Sequence, residues 1–258
     1  MTTEGGSGRK ESGEEAVRYR WVAEFLKGVD VLDVGCGHGN GSYFFTEHGA
    51  RSVLGIDSDS KAIRYANRKY HRDNLRFELM DATKITLPPE SFDAAVSLEV
   101  IEHLTNPLAM LRGIHSTLKP DGILVLSTPN KYHTETSYED GKSCDPYHVK
   151  DYYPNELCDM LNDLFRINAI YGEFRVVADN ERITYDRYVE HCTVPRRIRK
   201  LIPEHLKNAW LRRKGLPAIP EPHKDFQIEP LSAPEQLSGK YFVQLYVCEK
   251  QPNLRFFL

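Results

Sequence analysis

"VDVLDVGCGHGNG" (29–41) decides the fold of this 258-residue chain. Val29 to Val34 is a short apolar run, the pattern of a strand buried on both faces, and it ends in a turn bearing Gly35, Gly37, Gly39 and Gly41. Glycine lets a backbone turn tightly and approach a ligand closely. Such a turn is a weak signal alone. The dinucleotide fingerprint needs glycine at its first, third and sixth places. From Gly35 the sixth place is Asn40 and from Gly37 it is Ser42, which disfavours a pyrophosphate loop.

Outward from this stretch the pattern repeats. "SVLGIDS" (52–58), "LRFELMDA" (75–82), "FDAAVSLE" (92–99) and "GILVLSTP" (122–129) read as further strands. Between them lie helical patterns: Tyr43 to His48; 59–71, with Ala62, Ile63, Ala66 and Tyr70 on one stripe; and 106–122, with Leu108, Leu111, Ile114 and Leu118 on another. Asn106 caps the last of these, Pro107 opens it, and Pro120 and Gly122 stop it. Strands alternating with helices predict an α/β fold with a parallel sheet covered on both faces.

The bulk properties exclude several classes. Apolar residues make up 40% and charged residues 28%, the balance of a globular protein, and a net charge of −3 gives no whole-chain attraction to nucleic acid or anionic lipid. No apolar run approaches a membrane span. "MTTEGGSGRKESGEE" (1–15) lacks the apolar core of a signal peptide, and 1–14 is expected to be a disordered tail. Five scattered cysteines (Cys36, Cys144, Cys158, Cys192, Cys248) with no CxxC pair argue against a zinc or disulfide framework and suit a cytoplasmic location.

In such a sheet, ligands bind beyond the carboxyl ends of the strands, at the topological switch point. Asp57 ends the second strand, about 20 residues after the glycine turn, where a carboxylate takes both hydroxyls of a ribose. Asp81 ends the third and can accept from a purine amino group. Each also has a plain reading as a helix cap, as the glycines have one as a tight turn. The fourth strand runs into "SLEVIEHL" (97–104). Were it helical, Glu99, Glu102 and His103 at i, i+3 and i+4 would share a face. His148, in "CDPYHVKDYYPNEL" (144–157), follows the fifth strand into the same mouth. Two carboxylates and two imidazoles can hold a divalent metal, supply a general base, or serve structure alone.

Together, "VLDVGCGHGNG", "GIDSDSKAIRYA", "FELMDATKI", "SFDAAVSLEVIEHL" and "LKPDGILVLSTPN" resemble the motif series of class I S-adenosylmethionine-dependent methyltransferases, over about 15–164 and 240–250. The resemblance implies a Rossmann-like, seven-stranded, mostly parallel sheet with helices on both faces and an antiparallel last strand. "RINAIYG" (166–172) and "KYFVQLYVCEK" (240–250) would be strands six and seven. It also implies that Asp33, Gly35 and Gly37 hold the methionine part of S-adenosylmethionine. Asp57, with Ser58 beside it, would bind the ribose, Asp81 and Ala82 would read adenine, and Leu98 would lie near the methyl group. Tyr19 or Arg18 could close over the methionine carboxylate, with amphipathic packing as the alternative. Glu99, Glu102, His103 and His148 resemble the metal site of two subgroups, the ubiquinone-pathway O-methyltransferases and the methyltransferases of the terminal 2′-hydroxyl of small RNAs. Magnesium, manganese or zinc would suit these ligands. A metal-free reading makes His103, His148 and Glu99 the catalytic groups.

A single methyltransferase domain over 15–258 is thus expected, with a lid-like helical insertion at 173–239. Within it "VPRRIRKLIPEHLKNAWLRRKG" (194–215) carries eight Lys/Arg against one acid, Glu204, and fits a lid or a peripheral membrane contact. "LPAIPEPHKDFQIEP" (216–230) reads as a proline-rich connection. The leading function is methyl transfer to a hydroxyl oxygen of a small molecule: a quinone, sugar, lipid-linked glycan or natural product. The alternatives are N-methylation of a small molecule, an RNA ribose 2′-O-methyltransferase, which the charge and the lack of a basic, aromatic-rich module disfavour, and a non-catalytic binding protein.

Overall fold

The computed structural model describes residues 13–137, 146–175, 226–238 and 241–251. The chain divides into two compact units, 1–17 with 175–227 and 18–174 with 228–258. The second holds the body of the sheet. Nearly all of the first lies outside the described residues, including the expected tail (1–14, save its last two residues) and the lid or membrane segment (194–215).

Chain order is α1 (Gly13–Ala23), β1 (Asp30–Val34), α2 (Asn40–Glu47), β2 (Ser52–Asp57), α3 (Ser60–Lys69), β3 (Leu75–Leu79), β4 (Phe92–Leu98), α4 (Pro107–Thr117), β5 (Leu118–Pro129), α5 (Lys131–Ser137), α6 (Pro154–Asn162), β6 (Phe165–Arg175), β7 (Phe226–Leu231) and β8 (Val243–Lys250). The sheet order is β3-β2-β1-β4-β5-β8-β6-β7. β1 to β5 pair in parallel, while β8 runs antiparallel to both β5 and β6. The expected sheet is therefore present, with an eighth strand added. That strand, β7, comes from the stretch read as a proline-rich connection. Pro230 cannot donate to a ladder, and β7 stands at the sheet's edge, the place a strand tolerates it.

Two apolar clusters cover the sheet. One gathers Met110, Leu111 and Ile114 of α4 with Leu157 and Leu161 of α6; the other gathers Val22 and Ala23 of α1, Phe45 of α2 and Ile63 and Ala66 of α3. The local signals work as the residues dictate. Asn106 Oδ1 accepts from Ala109 N–H ahead of α4, and Asp59 Oδ1 accepts from Lys61 N–H ahead of α3. α4 stops at Thr117 rather than running to Pro120, because β5 begins at Leu118 and pairs it with Phe92. The register shift beyond that pair and the left-handed Asp121 (φ 62°) absorb the Pro-Asp-Gly turn within the strand.

The amino ends of the strands carry a charge network. Arg51, just before β2, binds Asp30 at the head of β1 (Nη2–Oδ2 2.5 Å) and Asp93 at the head of β4 (2.7 Å), and Lys119 of β5 reaches Asp93 at 2.8 Å. The Arg51 guanidinium holds the Asp30 carboxyl down at about 2.

Candidate active site

The carboxyl ends are built differently. After β1 the chain turns through Gly35 (φ 76°), Gly37 (φ 54°) and Gly39 (φ 81°). At Gly39 a Cβ would meet the Phe77 ring at 2.6 Å, so glycine is required by packing as well as by φ. At Gly35 a Cβ would meet the Val100 side chain at 2.4 Å. At Gly37 a Cβ would meet nothing within 4 Å, which leaves that side of the turn open. Asp57 ties the turn to α3: its Oδ2 accepts from Gly37 N–H and its Oδ1 from Asp59 N–H, both at 2.8 Å. Ser58 beside it is exposed.

Asp33 lies beneath this turn, 6% exposed, and accepts from Ser42 Oγ at 2.5 Å. Burial pushes its carboxyl up to about 6, the Asp57 charge adds to this, and the Ser42 hydrogen bond opposes it. A cation placed above would relieve that cost. The neighbouring Cys36 thiol is pushed far up by burial and is inert as a nucleophile. Asp81 Oδ1 accepts from both Thr83 N–H and Thr83 Oγ at 2.8 Å, capping the 3₁₀ turn Ala82–Lys84, and these bonds hold its carboxyl below its ordinary value. Ala82 is buried and Leu98 is half-buried. Tyr19 packs on Phe44, Phe45 and Gly41, and Arg18 Nη1 is committed to buried Glu173 Oε2 at 2.8 Å.

"SLEVIEHL" is not the α-helix that would put three side chains on one face. Glu99 takes the left-handed conformation (φ 57°), and only Ile101–His103 forms a 3₁₀ turn. The cause is β5: Glu99 N–H donates to Ser127 O, and Ser127 Oγ donates to Glu99 Oε1 at 2.7 Å. Glu99 Oε1 is thereby taken up by Ser127, and Glu99 is not among the residues whose ligand atoms gather here. Glu102, His103 and His148 still each offer one ligand atom, all within 4.8 Å of one another.

Each member of this trio is held from behind. Glu102 is 0% exposed, and its Oε2 accepts from Thr128 Oγ at 2.8 Å. Its Oε1 has no hydrogen-bond partner among the described residues. Burial, and next the charge of Glu99, push this carboxyl well above its ordinary value. His103 Nδ1 faces Tyr147 O at 3.0 Å and His148 Nδ1 faces Asp151 Oδ1 at 2.8 Å. In the neutral imidazole a ring nitrogen facing an oxygen acceptor carries the proton, and Nε2 of each ring then presents the lone pair. The imidazoles meet edge to face, 4.9 Å between centroids, and His103 Nε2 lies 4.0 Å from Glu102 Oε1. The loop bearing His148 is pinned here because Val149 N–H donates to Glu102 O.

Ser42, Thr128 and Asp151 were missed by sequence reasoning. The signal available for Asp151 was its place three residues after His148, outside any helix.

A family model described as a methyltransferase domain matches residues 32–126. A "probable S-adenosylmethionine-dependent methyltransferase" of Mycolicibacterium smegmatis is 29% identical over 161 residues, 61% of this chain and 60% of that protein. The central part of the chain is thus similar to S-adenosylmethionine-dependent methyltransferases. A ubiquinone biosynthesis O-methyltransferase of Coxiella burnetii is 33% identical over 119 residues, 45% of this chain and 50% of that protein. The match to these curated methyltransferases thus spans 50% to 60% of their length. A solved methyltransferase from Archaeoglobus fulgidus shares the fold at a TM-score of 0.61 and 20% identity, covering 93% of this chain and 95% of that one. No helix among the described residues is long and apolar enough to cross a membrane.

Proposed function

We propose that this chain transfers the methyl group of S-adenosylmethionine to a hydroxyl oxygen of a small-molecule acceptor. The observation carrying this reading is the Glu102–His103–His148 trio at the end of β4, beside the glycine turn. S-adenosylmethionine, when bound, supplies a methyl group on a sulfonium. In the transfer the acceptor oxygen forms a bond to that carbon, the carbon–sulfur bond breaks with its electrons passing to sulfur, and the acceptor's proton goes to a base. Nε2 of His103 or His148, with its lone pair presented, serves as that base. Asp33, Gly35, Gly37, Asp57, Ser58, Asp81, Ala82, Leu98 and Tyr19 are assigned to the cofactor, with Asp57 taking the ribose and buried Asp33 favouring the cationic end.

The trio also fits a divalent ion. A buried carboxylate oxygen without a partner and two imidazole Nε2 atoms form a donor set suited to magnesium, manganese or zinc. Such an ion would lower the pKa of an acceptor hydroxyl. A pair of adjacent hydroxyls, as in a quinol or a sugar, is the acceptor that suits it best. Methyl transfer to a panel of vicinal diols, phenols, amines and RNA 3′-ends, run with and without chelator, separates the readings. Activity that vanishes in chelator and returns with a divalent ion supports the metal version. Activity that survives chelator but is lost in His103→Ala or His148→Ala supports the metal-free base. Full activity in a Glu99→Gln, His148→Ala double variant defeats both. Turnover of amines or RNA alone moves the function to N-methylation or to ribose methylation.

A further inference from the structure

We propose that Asp151 is a positioning residue that fixes His148 as its Nδ1–H tautomer and so presents Nε2 to the Glu102–His103 pair. This rests on the metal-site reading above and deepens it. A neutral imidazole has two tautomers, and only the one protonated at Nδ1 leaves Nε2 able to bind a cation. Asp151 Oδ1 lies 2.8 Å from His148 Nδ1, with the two side chains 8% and 13% exposed, so water competes little for either partner. Each other member of the trio is also held by a hydrogen bond from behind, with a different partner each time. Tyr147 O takes Nδ1–H of His103, and Thr128 Oγ occupies the far oxygen of Glu102. Three ligand atoms are thus aimed by three separate partners, and His148 is the imidazole aimed by a side chain rather than by a backbone carbonyl. Outer partners of this kind set ligand orientation, and their loss costs about 10–100-fold in metal affinity.

The test uses the full chain, with Co²⁺ as the metal probe and ring-nitrogen NMR of the metal-free protein as a second readout. In the wild type His148 shows the Nδ1–H tautomer, and Co²⁺ binding gives a visible d–d spectrum. Asp151→Ala should move His148 to the Nε2–H tautomer and weaken Co²⁺ by about 10–100-fold. Asp151→Asn keeps an oxygen acceptor in the same place and should retain the Nδ1–H tautomer with most of the affinity. It also serves where the alanine variant does not fold. Unchanged tautomer and affinity in Asp151→Ala would overturn the proposal, as would an Asp151→Asn variant that behaves like His148→Ala. A wild type that binds no Co²⁺ would overturn the metal-site reading instead, and the tautomer measurement would then decide Asp151 by itself.

Discussion

The two ends of the same parallel strands are finished in opposite ways. At the amino ends Asp30, Asp93, Arg51 and Lys119 neutralise one another at the surface. At the carboxyl ends Asp33 is buried with a raised pKa, Glu99 sits in a left-handed conformation, and Glu102 keeps a buried oxygen without a partner among the described residues. One end spends its charges on itself. The other buries carboxyls that face no Lys or Arg among the described residues, which lowers stability and is worth keeping where a ligand supplies the missing partner.

The contrast breaks most visibly at Glu102. Glu102→Gln keeps the shape and the bond from Thr128 but weakens the oxygen proposed above as a ligand, and on that proposal methyl transfer should fall by about 10²–10⁴-fold, the range for losing a directly acting group. Its melting temperature should be no lower than that of the wild type, because an uncompensated buried carboxyl has gone. A steady-state assay beside a thermal melt checks both halves; a loss of activity matched by a loss of stability would make Glu102 a structural residue.

Next comes Asp57. Asp57→Ala removes hydrogen bonds to a charged acceptor, each worth about 1.5–3 kcal/mol, so S-adenosylmethionine should bind at least about 10-fold more weakly in calorimetry. Co²⁺ binding at the trio should not change. Unaltered cofactor affinity, or preferential binding of NAD, would remove Asp57 from the cofactor site.

Asp33 sharpens the comparison through pH. Its folded pKa of about 6 lies above the ordinary value of 3.8, so its contribution to stability is fully present below about pH 4 and is lost as pH rises through 6. The full swing is about 3 kcal/mol at 1.36 kcal/mol per unit. The stability difference between wild type and Asp33→Asn, followed by urea unfolding from pH 4 to 7, should shift in favour of the variant across that window. A difference that stays flat would mean Asp33 ionises as freely in the fold as outside it.

The smallest effect belongs to the amino ends. Asp30 has the opposite sign: its pKa is depressed to about 2, so its contribution is present above about pH 4 and disappears as pH falls through 2. The Asp30 side chain is 27% exposed, and Asp30→Asn should cost at most about 1 kcal/mol at neutral pH, with activity untouched.

The comparison also explains what could be read from residues alone. β1, α3 and α4 were legible because apolar period, caps and glycine turns are local: Asn106 caps a residue three positions away. The strand-end carboxylates were legible by type and place, Asp81 in its plain role as a cap. The geometry of "SLEVIEHL" was not, because the left-handed Glu99 is imposed by Ser127, 28 residues on, and His103 is aimed by Tyr147, 44 residues on. β7 was hidden by Pro230 and the prolines of the stretch before it, since proline marks a turn in most contexts and is tolerated here at a sheet edge.

Gly35 has a consequence beyond its own turn. A single added methyl there would overlap Val100, the residue between Glu99 and the 3₁₀ turn that carries Glu102 and His103. The loop assigned to the methyl donor and the segment assigned to the acceptor therefore share a wall with no slack. A displacement of one is a displacement of the other, and because coupling free energy is reciprocal, whatever tightening the donor brings to the acceptor side the acceptor must return in equal measure. Ordered and cooperative binding of two substrates can then arise from one missing side chain.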